Sequence, residues 1–166
     1  MGAVHEALTR HAHLTPEKTA VLDETETWTY QELNQRSNQL AHYLIVHGVQ
    51  PQDVVAIYGH RSASLVWAVL GVLKAGSAFL LLDPTYPPAR LASYLEIAQP
   101  RGFVQIEVAG EVETAVSHAL DQQNCTGRIT LPTHQHANRQ KLLTNHPTTD
   151  PAITIQPDDL AYLSFT

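Results

Sequence analysis

Ten histidines are the most conspicuous candidates for chemistry in this sequence, and some of them occur in close pairs. His11 and His13 are separated by one residue, and so are His134 and His136. Imidazole is the commonest protein ligand for zinc, nickel and copper. However, residues two apart on a helix point away from each other, and neither pair has a Cys or a carboxylate at a usual zinc spacing. We therefore predict solvated histidines and no metal site.

Asp83 is a second candidate, because it directly follows the apolar run of residues 78–82, which is typical of a buried strand. Ligands of open α/β sheets bind beyond the carboxyl ends of the strands, where such an aspartate would lie. An Asp before a proline is also a good turn initiator, since its carboxylate can accept backbone N–H groups. We expect a structural role, in which Asp83 either accepts backbone N–H groups or pairs with Arg90 to fix the loop.

Two further patterns resemble reactive motifs only superficially. Gly71 and the pair Gly76-Ser77 have the glycine spacing of a phosphate-binding loop, but that loop needs lysine where Ser77 stands. We predict core packing for Gly71 and a helix end at Gly76. Cys125 has no neighbouring histidine in the local sequence, so we expect a surface or half-buried thiol rather than a catalytic thiolate.

The clearest local signals for secondary structure lie near the N-terminus. Residues 20–22 and 27–29 flank a polar tetrapeptide and predict a β-hairpin. Thr29 and Glu32 have capping-box spacing, and leucines at helical intervals follow, so a helix is predicted over residues 30–47. No element is assigned before the hairpin.

Strand-like and helix-like segments alternate through the following part of the chain. Continuous apolar runs predict strands that are covered on both faces, whereas apolar residues at helical spacing predict helices. The alternation predicts an α/β fold in which helices cover a largely parallel sheet. The strands are expected at residues 54–58, 78–82, 103–106 and 128–131, and the helices at residues 64–75, from Pro88 to a stop at Pro100, and at residues 111–123.

The C-terminal stretch changes in character. Residues 132–151 are rich in His, Thr, Asn, Gln and Pro and predict an irregular polar loop within one partial domain that spans residues 1–166. Residues 153–155 resume a strand-like pattern, and the apolar run 160–166 predicts a strand buried on both faces. Since natural domains usually end at an exposed element, we expect the chain to be part of a longer domain.

Composition and charge exclude several classes of function. The chain has 10 Lys and Arg against 16 Asp and Glu, and no run of basic residues offers a track for nucleic acid. No apolar run reaches about 18 residues, so no membrane span is expected. The single cysteine excludes a disulfide framework and fits a reducing compartment, and we predict a cytoplasmic protein. The sequence contains no Gly-x-Gly-x-x-Gly turn, which counts against a Rossmann-type dinucleotide site.

Three segments carry a resemblance to a known family. Residues 27–34 read TWTYQELN, residues 73–90 read LKAGSAFLLLDPTYPPAR, and residues 160–166 read LAYLSFT. In this order, they resemble the first motif of adenylate-forming enzymes, the second motif with its Asp-Pro-x-Tyr-Pro-x-x-Arg ending, and the strand that leads into the ATP-phosphate loop. The chain is thus similar to the N-terminal part of an adenylation domain of the nonribosomal-peptide-synthetase type.

Two shorter stretches are similar to one branch of this family, the L-2-aminoadipate reductases of lysine biosynthesis. They are AQPRG at residues 98–102 and LSFT at residues 163–166. The resemblance implies an enzyme that activates an amino acid carboxylate with ATP and Mg²⁺ as an aminoacyl adenylate. The acyl group then passes to the phosphopantetheine thiol of a carrier domain, and in the reductase branch an NADPH-dependent domain reduces the thioester.

The resemblance implies few site residues within this chain. Thr166 alone maps onto the nucleotide site, because the glycine-rich loop, the substrate pocket and the catalytic lysine would follow it. We therefore expect no catalytic residue, no tightly bound cofactor and no activity of the isolated chain, whose partners are the rest of the adenylation domain and a carrier domain. The motif residues that we interpret as structural supports are Thr29, Tyr30, Glu32, Asp83, Pro84, Tyr86, Pro87 and Arg90.

Two other interpretations stay open. The chain could belong to a peptide synthetase that activates another amino acid, because the residues that line the specificity pocket would follow Thr166. It could also be a non-catalytic α/β module that binds a partner, although such a module would be expected to have a less apolar final strand than residues 160–165.

Overall fold

Helices and strands alternate along the chain, of which a computed structural model describes residues 3–132 and 143–165. The helices are α1 (Val4–Leu14), α2 (Tyr30–Val46), α3 (Ala63–Lys74), α4 (Pro88–Ala98) and α5 (Thr114–Asp121). The strands are β1 (Thr19–Leu22), β2 (Thr27–Thr29), β3 (Val54–Tyr58), β4 (Ala78–Leu82), β5 (Gly102–Ile106), β6 (Gly127–Leu131) and β7 (Tyr162–Leu163).

The strands form a hairpin and a parallel sheet. β1 pairs with β2 in antiparallel orientation across the predicted turn. The other strands pair in the order β6-β5-β3-β4-β7, and each neighbouring pair is parallel. Helices α2 and α3 pack on one face of this sheet, with α1 packed against them, and α4 and α5 pack on the other face. The predicted α/β class, with a parallel sheet and an N-terminal hairpin, is confirmed.

Strand β3 lies at the centre of the sheet and is covered on both faces. Val55 and Ile57 pack in the core beneath α2 and α3, whereas Ala56 and Tyr58 pack in the core beneath α4 and α5. Successive side chains of a strand point to opposite faces, so a strand between two helical layers needs an uninterrupted apolar run. The prediction of a doubly covered central strand is confirmed.

Helix α2 begins with the predicted capping box. The Thr29 hydroxyl accepts a hydrogen bond from the Glu32 N–H at 3.2 Å, and the Glu32 carboxylate accepts one from the Thr29 N–H at 2.8 Å. These bonds satisfy backbone donors that the first turn of a helix otherwise leaves unpaired. The start of α2 is therefore fixed by its own sequence.

Gly71 and Gly76 have the predicted structural roles. A β-carbon added at Gly71 would lie 2.6 Å from a methyl carbon of Leu40, so glycine is needed where α3 crosses α2. Gly76 follows the end of α3 with a φ of +75°, in the left-handed region that favours glycine. Because most of the segment between the two glycines is helical, this segment does not form a phosphate-binding loop.

Helix α1 differs from the sequence analysis, which assigns no element before the hairpin. Its buried side chains are His5 and Leu8. An inward histidine interrupts the apolar periodicity that indicates an amphipathic helix, which weakens the signal. A local capping signal does exist, since the Ala3 N–H donates a hydrogen bond to the Glu6 carboxylate at 3.0 Å.

Helix α5 is shorter than the helix predicted over residues 111–123. After β5, the chain makes one turn of 3-10 helix at Glu107–Ala109 and changes direction at Gly110, whose φ is +78°. Val112 lies in the connection that follows, and its partly buried side chain packs against the core beneath α4 and α5. Val112 has the sequence spacing of an inward-facing helical residue although it lies outside the helix. For this reason the sequence analysis begins the helix too early.

Of the two C-terminal strand predictions, the one for residues 153–155 is wrong, and the one for residues 160–166 is confirmed only over two residues. Residues 153–155 pair with no strand among the described residues, and the Ile153 side chain packs on the turn that ends α3. Within the described residues, the run 160–166 contributes only the two-residue strand β7; Leu160 before the strand and Tyr162 in it are 57% and 62% exposed. Within the described residues, β7 pairs with β4 alone. Among the described residues it is therefore an edge strand, and burial on both faces is not observed there.

The polar loop predicted at residues 132–151 is described mainly from residue 143 onward. This described part consists of turns and irregular backbone. The Asn38 side-chain amide of α2 donates a hydrogen bond to the Thr148 carbonyl at 2.6 Å. The described part of the loop is therefore irregular but attached to α2.

A buried carboxyl group lies at the end of the hairpin turn. Glu26 is 5% exposed, and its Oε2 atom has no hydrogen-bond partner among the described residues. Burial raises the pKa of the Glu26 carboxyl to about 7, while Arg36 partly opposes this effect and Asp23 adds to it. The folded state therefore favours the protonated carboxylic acid.

Glu26 should make the protein less stable as the pH rises. Because the folded-state pKa lies above the ordinary 4.5, Glu26 does not lower the free energy of unfolding through ionisation below pH 4.5. The loss of stability grows as the pH rises and is complete once the pH has passed about 7. Relative to wild type, Glu26→Gln should therefore gain about 1–3 kcal/mol in the free energy of unfolding between pH 5 and pH 8. Urea unfolding at both pH values checks this, with Glu24→Gln in the exposed part of the turn as the matched control. An identical pH dependence in wild type and Glu26→Gln would contradict the prediction.

Candidate functional site at the carboxyl edge of the sheet

The carboxyl ends of the parallel strands β3 and β4 lie side by side at one edge of the sheet. The chain leaves β3 toward α3 on one face and leaves β4 toward α4 on the other. Such a change of face between neighbouring strands is where open α/β sheets bind ligands. His60 follows β3 and Asp83 follows β4, and the His60 Nδ1 atom lies 3.8 Å from the Asp83 Oδ1 atom. Sequence analysis identifies Asp83 at this edge but misses His60.

Asp83 fixes the loop that follows β4. Its Oδ1 atom accepts hydrogen bonds from the Thr85 N–H at 2.9 Å and from the Thr85 hydroxyl at 2.8 Å. The backbone bond, followed by the hydroxyl bond, holds the pKa of Asp83 below its ordinary value, and His60 makes a smaller contribution. Of the two structural roles expected for Asp83, the structure shows the acceptance of a backbone N–H.

Arg90 contacts two tyrosine rings. Its Nε atom donates a hydrogen bond to the Tyr94 hydroxyl. Its guanidinium carbon lies 5.0 Å from the centre of the Tyr86 ring and 5.4 Å from the centre of the Tyr94 ring. Cation–π contacts at exposed positions contribute roughly 0.5–1 kcal/mol each. The alternative in which Arg90 pairs with Asp83 is not observed among the described residues.

The prolines of the second motif shape the connection between β4 and α4. The Tyr86 N–H donates a hydrogen bond to the Asp83 carbonyl at 3.0 Å, which closes a turn around Pro84. Pro87 is the N-cap residue of α4, and Pro88 is the first helical residue. A proline is tolerated there because the first turn leaves N–H groups unpaired in any case, and its fixed φ suits the helix. The connection therefore has little conformational freedom.

The end of the described chain reaches the same edge. Phe165 stacks on Tyr94 of α4, with ring centres 4.4 Å apart and an angle of 8° between the ring planes. Thr166, which the resemblance assigns to the nucleotide, lies outside the described residues. The structure thus places Phe165, the residue before Thr166, against the helix that follows the loop of the second motif.

The residues of the first motif contact other parts of the fold. Thr29 and Glu32 cap α2, and Tyr30 stacks on His11 of α1 with ring centres 5.0 Å apart. Trp28 in the same motif is fully buried in the core. These contacts join structural elements to one another, and the supporting role of this motif stays our interpretation.

An ion pair between the buried Lys74 and the partly exposed Asp150 attaches the C-terminal segment to the helices. The Lys74 side chain is 0% exposed, and its ammonium donates hydrogen bonds to the Asp150 carboxylate at 3.0 Å and to the Thr9 hydroxyl at 2.9 Å. Burial lowers the pKa of Lys74, and the hydrogen bond to Asp150 opposes this effect. Because a buried charge needs such partners, Lys74 of the second motif joins α1, α3 and the segment that precedes β7.

Metal sites and membrane spans are not found in the part of the chain that the structure describes. No group of three or more His, Cys, Asp or Glu side chains is arranged there to hold a metal ion. His11 and His13 lie on α1, whereas His134 and His136 lie outside the described residues. None of the described helices is both long enough and apolar enough to cross a membrane.

Cys125 is a half-buried thiol in the turn before β6. Burial raises the pKa of this thiol, although Arg128 partly opposes the effect. A raised pKa disfavours the thiolate, which is the reactive form of cysteine. The environment of Cys125 therefore agrees with the expected unreactive thiol.

Sequence reasoning misses contacts that His60, Asp23 and Tyr94 make across the chain. His60 closely follows the central strand, and its place near a strand's carboxyl end is a signal that could have identified it. The Asp23 carboxylate accepts the Ala63 N–H of the first turn of α3 at 2.8 Å, and this bond is the foremost cause that lowers the pKa of Asp23 to about 2. No local pattern reveals such partners, since they depend on how the elements pack.

A protein-family model described as "AMP-binding enzyme" matches residues 8–166. The chain belongs to this family. The match covers the hairpin, the parallel sheet and the loop at its carboxyl edge. The resemblance to adenylate-forming enzymes that the sequence motifs carry is therefore confirmed.

Curated relatives align with nearly the whole chain. L-2-aminoadipate reductase of Saccharomyces cerevisiae is 34% identical in an alignment that covers 100% of this chain and 13% of the reductase. A plipastatin synthase polypeptide of Bacillus subtilis is 34% identical over 98% of this chain and 4% of its own length. The chain thus spans a small part of the length of these relatives.

A solved structure of a related enzyme has the same fold. The nonribosomal peptide synthetase FmoA3, in its α-methyl-L-serine-AMP bound form, is 26% identical to this chain with a TM-score of 0.75. The superposition covers 98% of this chain and 17% of the synthetase. The parallel sheet and its covering helices therefore match part of an adenylate-forming enzyme.

The hydrogen bonds of Asp83 predict how its pKa responds to substitution. Thr85→Ala should raise the pKa of Asp83 toward 3.8 without reaching it, because the hydroxyl donor is lost and the backbone N–H donor stays. His60→Gln is the matched control and should change the pKa of Asp83 less, since His60 contributes less than either bond to Thr85. Titration of the Asp83 carboxyl carbon by NMR measures both shifts. A larger shift in His60→Gln than in Thr85→Ala would contradict the assignment.

Proposed function

We propose that this chain forms the N-terminal part of an adenylation domain in an ATP-dependent enzyme that loads a carrier domain. The complete domain would convert an amino acid and ATP into an aminoacyl adenylate and pyrophosphate. The observation that carries this proposal is the match of the AMP-binding family to residues 8–166. In the proposal, this chain supplies sheet and helices against which the rest of the domain is built.

We propose L-2-aminoadipate as the amino acid. The support is the identity of 34% to the yeast reductase along 100% of this chain, together with the reductase-like stretches at residues 98–102 and 163–166. The acyl group would pass to the phosphopantetheine thiol of a carrier domain and then to an NADPH-dependent reducing domain. A cytoplasmic location is part of this proposal and is supported by the single, unpaired cysteine.

The described residues do not complete a site for ATP or Mg²⁺ by themselves. The Asp83 carboxylate at the carboxyl edge is bonded to Thr85 of its own loop, and no set of side chains in residues 3–132 and 143–165 is arranged to hold a metal ion. A phosphoryl transition state needs cations, backbone donors and metal ions placed together around it. These residues support no catalytic step on their own, and we propose that the isolated chain is inactive.

The role of this chain in the proposal is to position the nucleotide site. Thr166 is the one residue that we assign to the nucleotide, and it follows directly on Phe165, whose ring is held at the carboxyl edge. The other motif residues hold the elements around this edge or begin α2. They are Thr29, Tyr30, Glu32, Asp83, Pro84, Tyr86, Pro87 and Arg90.

A peptide synthetase that activates a different amino acid is the second candidate. The identity to the plipastatin synthase polypeptide equals the identity to the yeast reductase, at 34% in both alignments. A non-catalytic module that binds a partner is the third, but the exposed apolar side chains of Leu160 and Tyr162 count against a freestanding module, which would be expected to have a less apolar sheet edge. Both alternatives make different predictions for the same assay.

Amino-acid-dependent exchange of pyrophosphate into ATP tests the proposal. The purified chain of 166 residues should show no exchange with any amino acid. The gene product that contains this chain within a complete adenylation domain should exchange with L-2-aminoadipate, and omission of the amino acid is the control.

Each other outcome of the exchange assay contradicts a named part of the proposal. Exchange by the purified chain would contradict its inactivity. A complete domain that exchanges only with a different amino acid would overturn L-2-aminoadipate as the substrate and favour a peptide synthetase. Absence of exchange with every amino acid would overturn the enzymatic function and favour the partner-binding module.

A further inference from the structure

Three histidines lie close to the Tyr43 ring, where the described part of the polar loop crosses α2. The His47 ring stacks on the Tyr43 ring with ring centres 4.0 Å apart, and the His146 ring meets it edge-on with centres 5.6 Å apart. His42 precedes Tyr43 on α2 and contacts the loop at Thr149. The proposed function uses none of these contacts.

We propose that the turn of residues 143–146 is an acid-sensitive latch on α2. In neutral solution the turn is docked, and the Leu143 side chain, which is 3% exposed, lies in the core beneath α2 and α3. In mildly acidic solution, protonation of the imidazoles shifts the turn toward an open form in which Leu143 leaves the core. The latch is independent of the proposed function, because it depends on contacts among the described residues alone.

The histidines of α2 keep their bonds in the neutral and in the protonated form. The His42 Nε2 atom lies 2.9 Å from the Thr149 carbonyl oxygen, and the His47 Nδ1 atom lies 2.8 Å from the Tyr43 carbonyl oxygen. A carbonyl oxygen only accepts hydrogen bonds, so the contacting ring nitrogen carries a proton in both forms. A second proton binds the opposite ring nitrogen and leaves these bonds in place. Acid therefore adds positive charge to this face of α2.

His146 is affected differently, because its ring makes no hydrogen bond to a described residue. Burial, followed by the positive charges of His47 and His42, lowers the pKa of His146 below its ordinary value of 6.5. In the open turn the ring is in water, and its pKa returns toward 6.5. Docking is therefore unaffected well above pH 6.5 and weakens as the pH falls below it, because the open turn binds the proton more tightly.

The neighbouring strand β6 brings no negative charge to His146. The Arg128 carbonyl accepts a hydrogen bond from the Tyr43 hydroxyl at 2.7 Å, and the Arg128 guanidinium binds the Asp121 carboxylate of α5 at 2.7 Å. Burial raises the pKa of the Tyr43 hydroxyl, which therefore stays neutral in acid. Among the described residues, the charges that act on the His146 ring are thus those of the two imidazoles on α2.

The contacts that dock the turn on α2 are weak enough for one titration to matter. The Gln39 side-chain amide donates a hydrogen bond to the His146 carbonyl at 3.3 Å, which is long for an N–H···O bond. The shorter bond of the neighbouring Asn38 goes to Thr148, after the turn. Docking thus depends mainly on the burial of Leu143, which the repulsion of a protonated His146 opposes.

A second anchor limits the opening to the turn. Asp150 binds the Lys74 ammonium at 3.0 Å and accepts a hydrogen bond from the Ala152 N–H at 3.1 Å. Burial acts to raise the pKa of Asp150, but the bonds from Lys74 and Ala152 hold it below the ordinary value of 3.8. Asp150 therefore stays charged at pH 5.5, and the Ala152 amide is an internal reference that should not respond to the latch.

The chain offers matched variants for a test. His146→Gln removes the titrating ring and keeps a polar side chain. His118→Gln is the control, because His118 lies in the last turn of α5, in the layer on the other face of the sheet. His47→Gln removes a positive charge from α2 and leaves His146 in place.

Hydrogen exchange in the 166-residue chain tests the opening. The amide of residue 146 donates a hydrogen bond to the Leu143 carbonyl at 2.9 Å, so its protection reports the closed turn. In wild type and in His118→Gln, its protection factor, which is corrected for the intrinsic exchange rate, should fall several-fold between pH 7.5 and pH 5.5. In His146→Gln it should be the same at both pH values, and the Ala152 amide should keep its protection in all three proteins.

NMR titration of the His146 ring tests the charge mechanism. In wild type the ring should titrate with a pKa below 6.5, and His47→Gln should raise this pKa, because a neighbouring positive charge is lost. His118→Gln should leave the pKa of His146 unchanged. This titration also decides the question where His146→Gln fails to fold, which the β3 resonances reveal.

The latch is separable from the effect of Glu26. Protonation of the Glu26 carboxyl stabilises the whole fold as the pH falls from 8 to 5, whereas the latch opens locally over the same range. The free energy of global unfolding and the protection of residue 146 should therefore change in opposite directions.

Four results would overturn the latch. Protection of residue 146 that is equal at pH 7.5 and pH 5.5 in wild type would contradict acid-induced opening. An equal fall of protection in wild type and in folded His146→Gln would contradict the role of His146. A pKa of His146 that does not rise in His47→Gln would contradict the charge mechanism, and an equal fall of protection at Ala152 would contradict the second anchor.

Discussion

The burial of β3 on both faces is the constraint on which the rest of the structure depends. Val55, Ala56 and Ile57 have no exposed surface, and their side chains alternate between the two cores. Full burial of a single Val or Ile side chain stabilises a fold by roughly 1.5–3 kcal/mol. Both helical layers are needed to cover this strand, so the sheet must lie between them. Strand β7 is much less paired and less buried than β3, since it has two paired residues and an exposed tyrosine.

The arrangement of the carboxyl edge follows from this central strand. Parallel strands place all of their carboxyl ends on one side of the sheet, and the crossover helices on opposite faces separate the connections that leave β3 and β4. His60 and Asp83 are therefore brought within 3.8 Å of each other. The residues of the second motif shape the loop at this edge. Asp83 accepts a hydrogen bond from the Thr85 N–H in the turn, and Pro87 and Pro88 begin α4. The second motif thus acquires a structural explanation.

Local sequence patterns predict the elements whose environment is set by their own residues. The Thr29 and Glu32 capping box and the unbroken apolar run of β3 are of this kind, and both are confirmed. Helix α1 escapes prediction because His5 occupies one of its buried positions. The strand predicted over residues 160–166 is shorter, and within the described residues more exposed, than its apolar run indicates, since apolar residues at a sheet edge have the same local pattern as apolar residues in a sheet centre.

The candidate site is less predictable than the fold, because its contacts join distant parts of the chain. Asp83 can be placed at a strand end from the sequence alone. Its partner His60 and the stacking of Phe165 on Tyr94 depend on the order of the strands and on the faces to which the helices go. The spacing of residues along the sequence gives neither the strand order nor the face on which each helix packs. The resemblance to adenylate-forming enzymes supplies the family, and the structure supplies the contacts.

Native-state hydrogen exchange of the chain most directly tests whether the fold is organised around β3. The amides of β3 should exchange slowest, through global unfolding, whereas those of β7 should exchange through local opening at a much lower free energy. β4 and β5, which flank β3, should be close to β3 in protection. Protection of Tyr162 and Leu163 equal to that of Val55 and Ile57, or fast exchange in β3, would contradict this account.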